Sequence, residues 1–297
     1  MGLRANPTYR QRRYGAEIRG IRESAGFTAA SAAEVMGMNA SHITTVESGR
    51  TGLSEERLRR LAGAAAVGSG EGATYLDALV ELGQESGKGW WTEYRRSLRP
   101  SLLDLAELEA GSQRIVCYEP MFVPGLLQTL DYATVIHRDG YVDASTAEHD
   151  RAVEFRMRRR GALTRERPPR LHAVVHEAAL HTSFGRPDVM RDQLRHLIEM
   201  SRLPNVTVQV VPFDGPVPYG TSFTLIEPHQ PRLGTVIVAH VVQSLYLGDA
   251  NSLDTYNNRF DRLSEQALPP VDAEVTPEGH ARKDSLGLIQ RLLYPLL

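Results

Sequence analysis

AASAAEVMGMNASHITTVES, residues 29–48, is the stretch that decides the fold of the first part of this chain. Small and apolar residues recur in it at spacings that suit two short helices joined by a tight turn. Ala33 lets the first helix lie close to the second, and Gly37 can adopt the left-handed backbone that ends the first helix. Ile43 and Val46 are three residues apart and share one face of the second helix, which we expect to be buried. The polar residues around them then lie on the outer face.

Helical patterns flank this stretch on both sides. Upstream, apolar residues at helical spacing predict a helix that stops at Gly26: Tyr14, Ile18, Ile21 and Ala25. Downstream, Ser54 is placed to cap a helix with Glu55 and Glu56 in its first turn. Four amphipathic helices could form an ordinary bundle, but the complete set of spacings favours a helix-turn-helix. Residues 13–67 resemble the Cro and cI repressor type, also called the xenobiotic-response-element type, which implies a lambda-repressor-like DNA-binding domain.

The resemblance implies that the second helix of the motif enters the major groove of double-stranded DNA. The residues expected to contact DNA lie on its outer face and near the helix ends: Thr28, Asn39, Ala40, Ser41, His42, Thr44, Thr45, Ser48 and Arg50. Many members of the family carry Gln or Arg where this chain has Ala29, Ala40 and Thr45. We therefore expect low affinity for one half-site, and a homodimer on a palindromic operator.

Charge distinguishes this segment from the rest of the chain. Residues 1–66 contain ten Arg and six Glu with no Lys or Asp, a net charge of +4, whereas the remainder carries -6. Residues 1–12 are predicted to be a basic N-terminal arm. The arm carries Arg4, Arg10 and Arg12. Together with Arg13, which follows the arm, these arginines could neutralise DNA phosphates. A disordered, solvated tail is the equally weighted alternative.

Composition limits the remaining classes. A length of 297 residues with 41% hydrophobic content suggests about two domains with cores of their own. There is no run of about 18 apolar residues, and the N-terminal residues do not read as an export signal, so we expect no membrane association. Cys117 is the only cysteine, which excludes an intrachain disulfide. We expect a cytoplasmic protein.

Beyond residue 67 the pattern changes twice. Residues 68–112 are predicted to be a helical connector that begins with a Gly-rich joint over residues 67–72. After residue 115, runs of β-branched residues predict strands over 170–176, 206–211, 221–226, 236–242 and 244–247. Helices are predicted over 187–203 and 252–267. The expected fold class is α + α/β, an N-terminal all-helical domain followed by a larger mixed α/β domain over residues 113–268.

Three short segments carry a second resemblance. They are Tyr118-Glu119-Pro120, the run VPGLLQT from Val123 to Thr129, and Asp131-Tyr132-Ala133. They are similar to the C-terminal domain of WhiJ-like helix-turn-helix regulators of actinobacteria, and the similarity covers roughly residues 73–268. It implies a regulator whose larger domain receives a signal, often through a small partner protein encoded nearby, in an arrangement likened to an antitoxin with its toxin.

The polar residues in and beside these segments are candidates for a ligand or partner site: Tyr118, Glu119, Gln128, Thr129 and Asp131. A solvated helix face is the commoner role for such residues. The basic run over residues 151–160 also has both a functional and a structural interpretation. It could bind an acidic partner or DNA, or form a solvated face balanced by neighbouring acidic residues.

No enzyme class is indicated. The chain has no phosphate-binding loop of the Walker type, no Gly-x-Ser-x-Gly elbow and no dinucleotide fingerprint. His172, His176 and His181 are the best metal candidates, but no spacing among them supplies the three or four ligands that zinc requires. We therefore expect no enzyme, no metal and no cofactor.

Residues 269–297 are predicted to be a flexible, Pro-rich linker followed by a short helix. Apolar residues at helical spacing mark the helix: Leu286, Ile289, Leu292 and Leu293. This helix could dock on its own domain, exchange with a second subunit or bind another protein, and the sequence does not rank these alternatives.

The sequence thus predicts a sequence-specific DNA-binding regulator that dimerises through residues beyond 72. The alternative is an antitoxin-like interaction module that sequesters a small partner protein and represses its own operon. An enzyme on the α/β domain is a third possibility, because a fold does not dictate a function.

Overall fold

The computed structural model describes residues 5–67, 71–84, 87–140, 144–182, 185–215, 220–240, 244–274 and 283–297. The chain divides into two compact units. The helical unit comprises the residues up to Arg95 together with Arg99–Leu108 and His229–Leu233. The α/β unit comprises Arg96–Leu98, Glu109–Pro228 and Gly234–Leu297. The predicted fold class is confirmed, whereas the predicted connector over 68–112 is divided between the two units.

The helical unit begins with the four helices that the sequence predicts. They are α1 (Tyr9–Ser24), α2 (Ala29–Met36), α3 (Ala40–Glu47) and α4 (Glu55–Ala64), followed by α5 (Glu71–Gln84) and most of α6 (Pro100–Ala110). Gly37 ends α2 in the left-handed conformation with φ of 61°, and Ser54 caps α4 by accepting a hydrogen bond from the main-chain N–H of Arg57. The predicted Gly-rich joint falls largely on residues 68–70, outside the described residues.

One hydrophobic core holds the helical unit together. Ile43 and Val46 of α3 are buried as predicted, each 1% exposed, and Ala33 of α2 lies in the same core. Leu79 of α5 and Leu233, from the segment after residue 228, complete it. The core therefore extends beyond the helix-turn-helix and its two flanking helices.

The N-terminal arm is shorter than predicted. Thr8 caps α1 by accepting a hydrogen bond from the main-chain N–H of Gln11, whose side chain binds the Thr8 N–H in return. This capping box starts the helix at Tyr9, so that Arg10 and Arg12 lie on α1 rather than in an extended arm. Arg4 lies outside the described residues.

The α/β unit is built on a six-stranded mixed sheet with the order β3-β2-β1-β4-β5-β6. The strands are β1 (Arg114–Glu119), β2 (Arg170–His176), β3 (Val206–Val211), β4 (Phe223–Glu227), β5 (Thr235–Val238) and β6 (Leu245–Leu247). β1, β2 and β3 are parallel, and β4, β5 and β6 are antiparallel to their neighbours. The sequence predicts five of these strands but not β1, which lies inside the sheet.

Helices cover the sheet. They are α7 (Leu130–Gly140), α8 (Thr146–Arg159), α9 (Glu177–His181), α10 (Pro187–Met200), α11 (Ala250–Gln266) and α12 (Ser285–Leu293). Phe260 and Leu263 of α11 pack on one face of the sheet, in a core that includes Val116 and Tyr118 of β1. Because side chains alternate along a strand, Cys117 and Glu119 face the other side.

The stretch from residue 269 is not a free linker at its start. The N–H groups of Leu268 and Val271 donate to the carbonyl oxygens of Val210 and Val208 at 2.8 Å, which covers the outer edge of β3. The side chain of Ser285 accepts a hydrogen bond from the N–H of Val210 at 3.0 Å. The C-terminal helix α12 thus docks on its own unit. Residues 275–282 of the predicted linker lie outside the described residues.

Within the described ranges, no helix is long and apolar enough to cross a membrane.

Candidate functional site

The outer face of α3 presents short polar side chains that are not used inside the protein. Asn39, Ser41, His42 and Thr44 are exposed, and their side chains form no hydrogen bond within the part of the chain that the structure describes. Asn39 precedes α3 but its side chain does not cap the helix. These four side chains keep their full hydrogen-bonding capacity for an external partner.

The other predicted DNA-contacting residues surround this group. The hydroxyls of Thr45 and Ser48 donate to the carbonyl oxygens of His42 and Thr45, at 2.7 and 3.1 Å, so each keeps lone pairs as acceptors. Ala40 is exposed at the start of α3. Thr28 caps α2 by accepting a hydrogen bond from the main-chain N–H of Ser31. Arg50 is exposed, and its guanidinium forms no ion pair among the described residues.

Two glycines allow α1 to touch the C-terminal end of α3 with its backbone. A Cβ atom at Gly15 would lie 2.5 Å from the carbonyl oxygen of Glu47, and one at Gly49 would lie 2.6 Å from that of Gln11. Gly49 also has φ of +75°, which a glycine adopts without strain. The two glycines therefore fix the distance between α1 and α3. The predicted site does not include these glycines, although a glycine within the apolar repeat of α1 is a visible signal in the sequence.

An ion pair joins the same two helices. Arg22 of α1 donates from Nε to Glu47 Oε1 at 2.5 Å and from Nη2 to Glu47 Oε2 at 3.2 Å. Arg22 Nη1 also donates to the carbonyl oxygen of Phe27 at 2.9 Å, so that one guanidinium ties the end of α3 to the loop before α2. The hydrogen bond with Glu47 raises the pKa of Arg22. This two-pronged geometry restrains the orientation of α3.

The first arginines of α1 are engaged inside the helical unit. Arg10 lies 3.8 Å from Glu107, and Arg12 lies 3.6 Å from Asp104, both on α6. Asp104 also accepts a hydrogen bond from the N–H of Tyr9 at 2.9 Å. Arg10 and Arg12, which the sequence predicts to reach phosphates, thus have acidic neighbours within the helical unit.

The five residues proposed for a ligand or partner site in the α/β unit do not form one cluster. Tyr118 is buried on the α11 face of the sheet, where its hydroxyl makes no hydrogen bond within the described ranges. Glu119 faces the opposite side, toward Arg156 of α8. Strand alternation therefore separates two neighbours that the motif places side by side.

Gln128 and Thr129 serve the fold. Gln128 is 2% exposed; its Nε2 donates to the carbonyl oxygen of Val123 and its Oε1 accepts from Arg156, both at 2.7 Å. The N–H of Thr129 donates to Gln193 Oε1 at 2.8 Å, and its hydroxyl accepts from the N–H of Tyr132. These contacts close the turn before α7. Only Asp131, which is exposed, remains available to an external partner without a change in these bonds.

The side of the sheet that faces α8 contains unusual titratable groups. Arg159 forms a buried two-pronged ion pair with Glu109, at 2.8 and 2.6 Å. Burial raises the pKa of Glu119 to about 8, even though Arg156 opposes the shift, and burial lowers the pKa of His137 to about 4. Glu119 is thus mostly protonated at neutral pH and can donate a hydrogen bond. Perturbed carboxyl groups of this kind are typical of ligand sites, but ion-pair networks produce them too.

The histidines considered for metal binding have other partners. His172 Nε2 lies 2.6 Å from Gln209 Oε1, and His176 Nδ1 accepts a hydrogen bond from the N–H of Ala178 at 3.2 Å. His181 lies 3.2 Å from Glu177. The described residues contain no group of three or more potential ligands that could hold a metal ion.

Comparisons with known proteins agree with this division. A family model described as a helix-turn-helix domain matches residues 13–73, which places the first part of the chain in that class. A second model, described as a domain of unknown function (DUF5753), matches residues 102–275. This match covers more than half of the chain, and the chain belongs to the DUF5753 family. No curated protein and no solved structure matches it.

Proposed function

We propose that this protein is a sequence-specific transcriptional regulator that acts in the cytoplasm and binds a palindromic operator as a homodimer. The observation that carries the proposal is the outer face of α3, where Asn39, Ser41, His42 and Thr44 keep their hydrogen-bonding groups free of the described part of the protein. The helix-turn-helix match over residues 13–73 supports the same function.

The size of α3 suits the major groove. A helix with its side chains is about 10–12 Å across, which matches the groove width of about 12 Å, and the eight residues of α3 extend about 12 Å along its axis. Ser41, His42 and Thr44 would read base edges, while Arg50 and the N-terminal end of α2 at Thr28 would contact phosphates. Most of these side chains are short, so one copy makes few base contacts. A second copy on a half-site about one helical turn away would supply the remaining specificity.

The test replaces the reading side chains without disturbing the core. A variant in which Ser41, His42 and Thr44 are all changed to Ala should lose specific operator binding and keep its thermal stability. A matched control changes one Ser, one Thr and one His outside α3, namely Ser24, Thr134 and His181. Operator duplexes are obtained by enrichment from a random library with the wild-type protein. Footprints that are unchanged in the α3 variant would refute the assignment.

The larger unit is proposed to receive the signal, to mediate dimerisation and to bind a small partner protein. Large apolar side chains at Met121, Phe122 and Leu130 are exposed just after β1 and at the start of α7, which favours a protein partner. The finer assignment to the WhiJ-like regulators of actinobacteria is part of this proposal and is supported by the sequence motifs, chiefly those from Tyr118 to Ala133. We propose no catalytic activity and no cofactor, because the sequence contains no Walker loop, no Gly-x-Ser-x-Gly elbow and no dinucleotide fingerprint.

The second candidate function is an antitoxin-like module that sequesters its partner and represses its own operon. The same apolar residues favour it. Purification from the native host separates the two functions. A stoichiometric small protein that releases DNA when it binds supports sequestration, and a homodimer that binds DNA without any such protein refutes it. Light scattering of the purified chain measures the proposed dimer directly.

A further inference from the structure

The segment His229–Leu233 belongs to the helical unit, although the chain enters it from β4 and leaves it into β5. Leu233 is 6% exposed and lies in the hydrophobic core that also contains Ile43 and Val46 of α3. The unit that carries the helix-turn-helix is therefore discontinuous in sequence. Its core is incomplete without a residue from far downstream.

Polar contacts join the same segment to α1 and α5. The carbonyl oxygen of Arg232 accepts a hydrogen bond from Arg13 Nη2 at 3.1 Å. The guanidinium carbon of Arg232 lies 4.3 Å from the centroid of the Tyr75 ring, in a cation–π contact. Arg13 and the hydroxyl of Tyr75 both donate to the carboxylate of Glu17. The segment, α1 and α5 thus share one closed set of contacts.

These contacts bear on α3 through α1. Helix α1 meets the end of α3 at Gly15 and binds it through Arg22 and Glu47. A displacement of α1 therefore changes the position from which α3 presents its polar face. Closely packed interiors transmit such displacements, because they contain little free space to absorb them.

We propose that the segment His229–Leu233 is a positioning element for DNA binding, in which Leu233 and Arg232 hold α1 in the place from which it supports α3. This inference rests on the proposed function. To that function the inference adds two positioning residues, which lie outside both the helix-turn-helix and its flanking helices.

The test uses the full chain and the operator duplex that the wild-type protein enriches from a random library. Leu233→Ala should weaken operator binding about tenfold, because it opens a cavity in the core that α1 shares with α3. Arg232→Ala should weaken it about threefold, since it removes a contact that is partly open to solvent. Leu233→Met, which conserves volume, should restore most of the affinity. Leu245→Ala, at an exposed leucine of β6, is the matched control and should bind as the wild type does.

A readout other than stability separates positioning from simple unfolding. The folded fraction of each variant is measured by circular dichroism at the temperature of the binding assay, and the preference for operator over a scrambled duplex is measured beside it. A fall in this preference in a fully folded variant supports the proposal. Wild-type affinity in Leu233→Ala would overturn it, as would a loss that only follows the unfolded fraction. If the wild-type protein enriches no duplex at all, the proposed function fails instead.

Discussion

Replacing Gly15 by Ala should weaken the helical unit, whereas the same replacement at Gly20 of the same helix should strengthen it. A Cβ atom at Gly15 would lie 2.5 Å from the carbonyl oxygen of Glu47 and 2.6 Å from that of Val46. A Cβ atom at Gly20 would meet nothing within 4 Å. The two positions differ in what the added methyl group contacts and share the same helix, so each serves as the control for the other.

The magnitude follows from two opposing effects. In the interior of a helix, Ala is favoured over Gly by about 1 kcal/mol, because Gly loses more backbone entropy on folding. Gly20→Ala should therefore raise the free energy of unfolding by about this amount. At Gly15 the same gain is opposed by the forced separation of α1 from α3. Insertion of a methyl group into a packed interface costs about 1–3 kcal/mol, and here the obstructing atoms are main-chain oxygens that cannot rotate away.

We expect Gly15→Ala to lower the free energy of unfolding by about 1–2 kcal/mol. For a unit of about 100 residues, this corresponds to a fall of roughly 5 °C or more in its melting temperature. Thermal scans of both variants measure the difference, and fluorescence anisotropy with the enriched duplex measures operator binding. Gly15→Ala should also bind more weakly, since the end of α3 has moved. Equal melting temperatures for the two variants would show that α1 and α3 do not touch as described.

Three further changes test the ion pairs and the perturbed carboxyl group. Arg22→Met should cost about 2 kcal/mol of stability and weaken operator binding, because it leaves the carboxylate of Glu47 without its partner, whereas Arg19→Met, in a fully exposed pair, should change stability far less; urea titrations that give equal losses would contradict this. Arg159→Met should destabilise the α/β unit by about 3 kcal/mol without changing DNA affinity in the folded protein, and a binding defect at full folding would refute a purely structural role. Burial raises the pKa of Glu119 to about 8, so the folded state keeps a proton that the unfolded state releases, and the contribution of Glu119 to stability should fall as the pH rises from about 4.5 to 8. Glu119→Gln should remove this fall, which is on the order of 2 kcal/mol after allowance for partial exposure, and melting curves at pH 5 and pH 8 that shift equally in both proteins would refute the assignment.

The helix-turn-helix could be predicted from sequence because its determinants are local. Gly37, Ile43 and Val46 lie within ten positions of one another, and the spacing alone fixes which side of α3 is buried. The fold class also followed from local patterns of strand and helix. What the sequence could not indicate are contacts between distant positions. The pairing of Arg22 with Glu47 and the burial of Leu233 depend on how helices pack, and no periodic pattern encodes that.

The five residues predicted for a ligand or partner site lie apart in the structure for a related reason. Residues from Tyr118 to Asp131 form a continuous motif, but β1 was not among the predicted strands, so the alternation of its side chains was not considered. Tyr118 and Glu119 consequently face opposite sides of the sheet. Gln128 and Thr129 are polar, but the side chain of Gln128 donates to the main-chain carbonyl of Val123, and the main-chain N–H of Thr129 donates to the side chain of Gln193, so that both help to close a turn. A polar residue next to an irregular turn is as well explained by the hydrogen bonds of that turn as by a ligand.

The short side chains on α3 make the position of this helix depend on the residues that support it from behind. In the proposed complex with DNA, Ser41, Thr44 and their neighbours reach only a short distance from the helix, so the backbone of α3 must come close to the base edges before any of them can bond. A long arginine or glutamine could compensate for a small error in the position of its helix, but a serine cannot. The geometry of α3 must therefore be set by what lies behind it. The glycine contacts with α1, the pair of Arg22 with Glu47, and Leu233 in the shared core restrict that geometry, and substitutions there should reduce specificity more than substitutions of equal cost elsewhere in the helical unit.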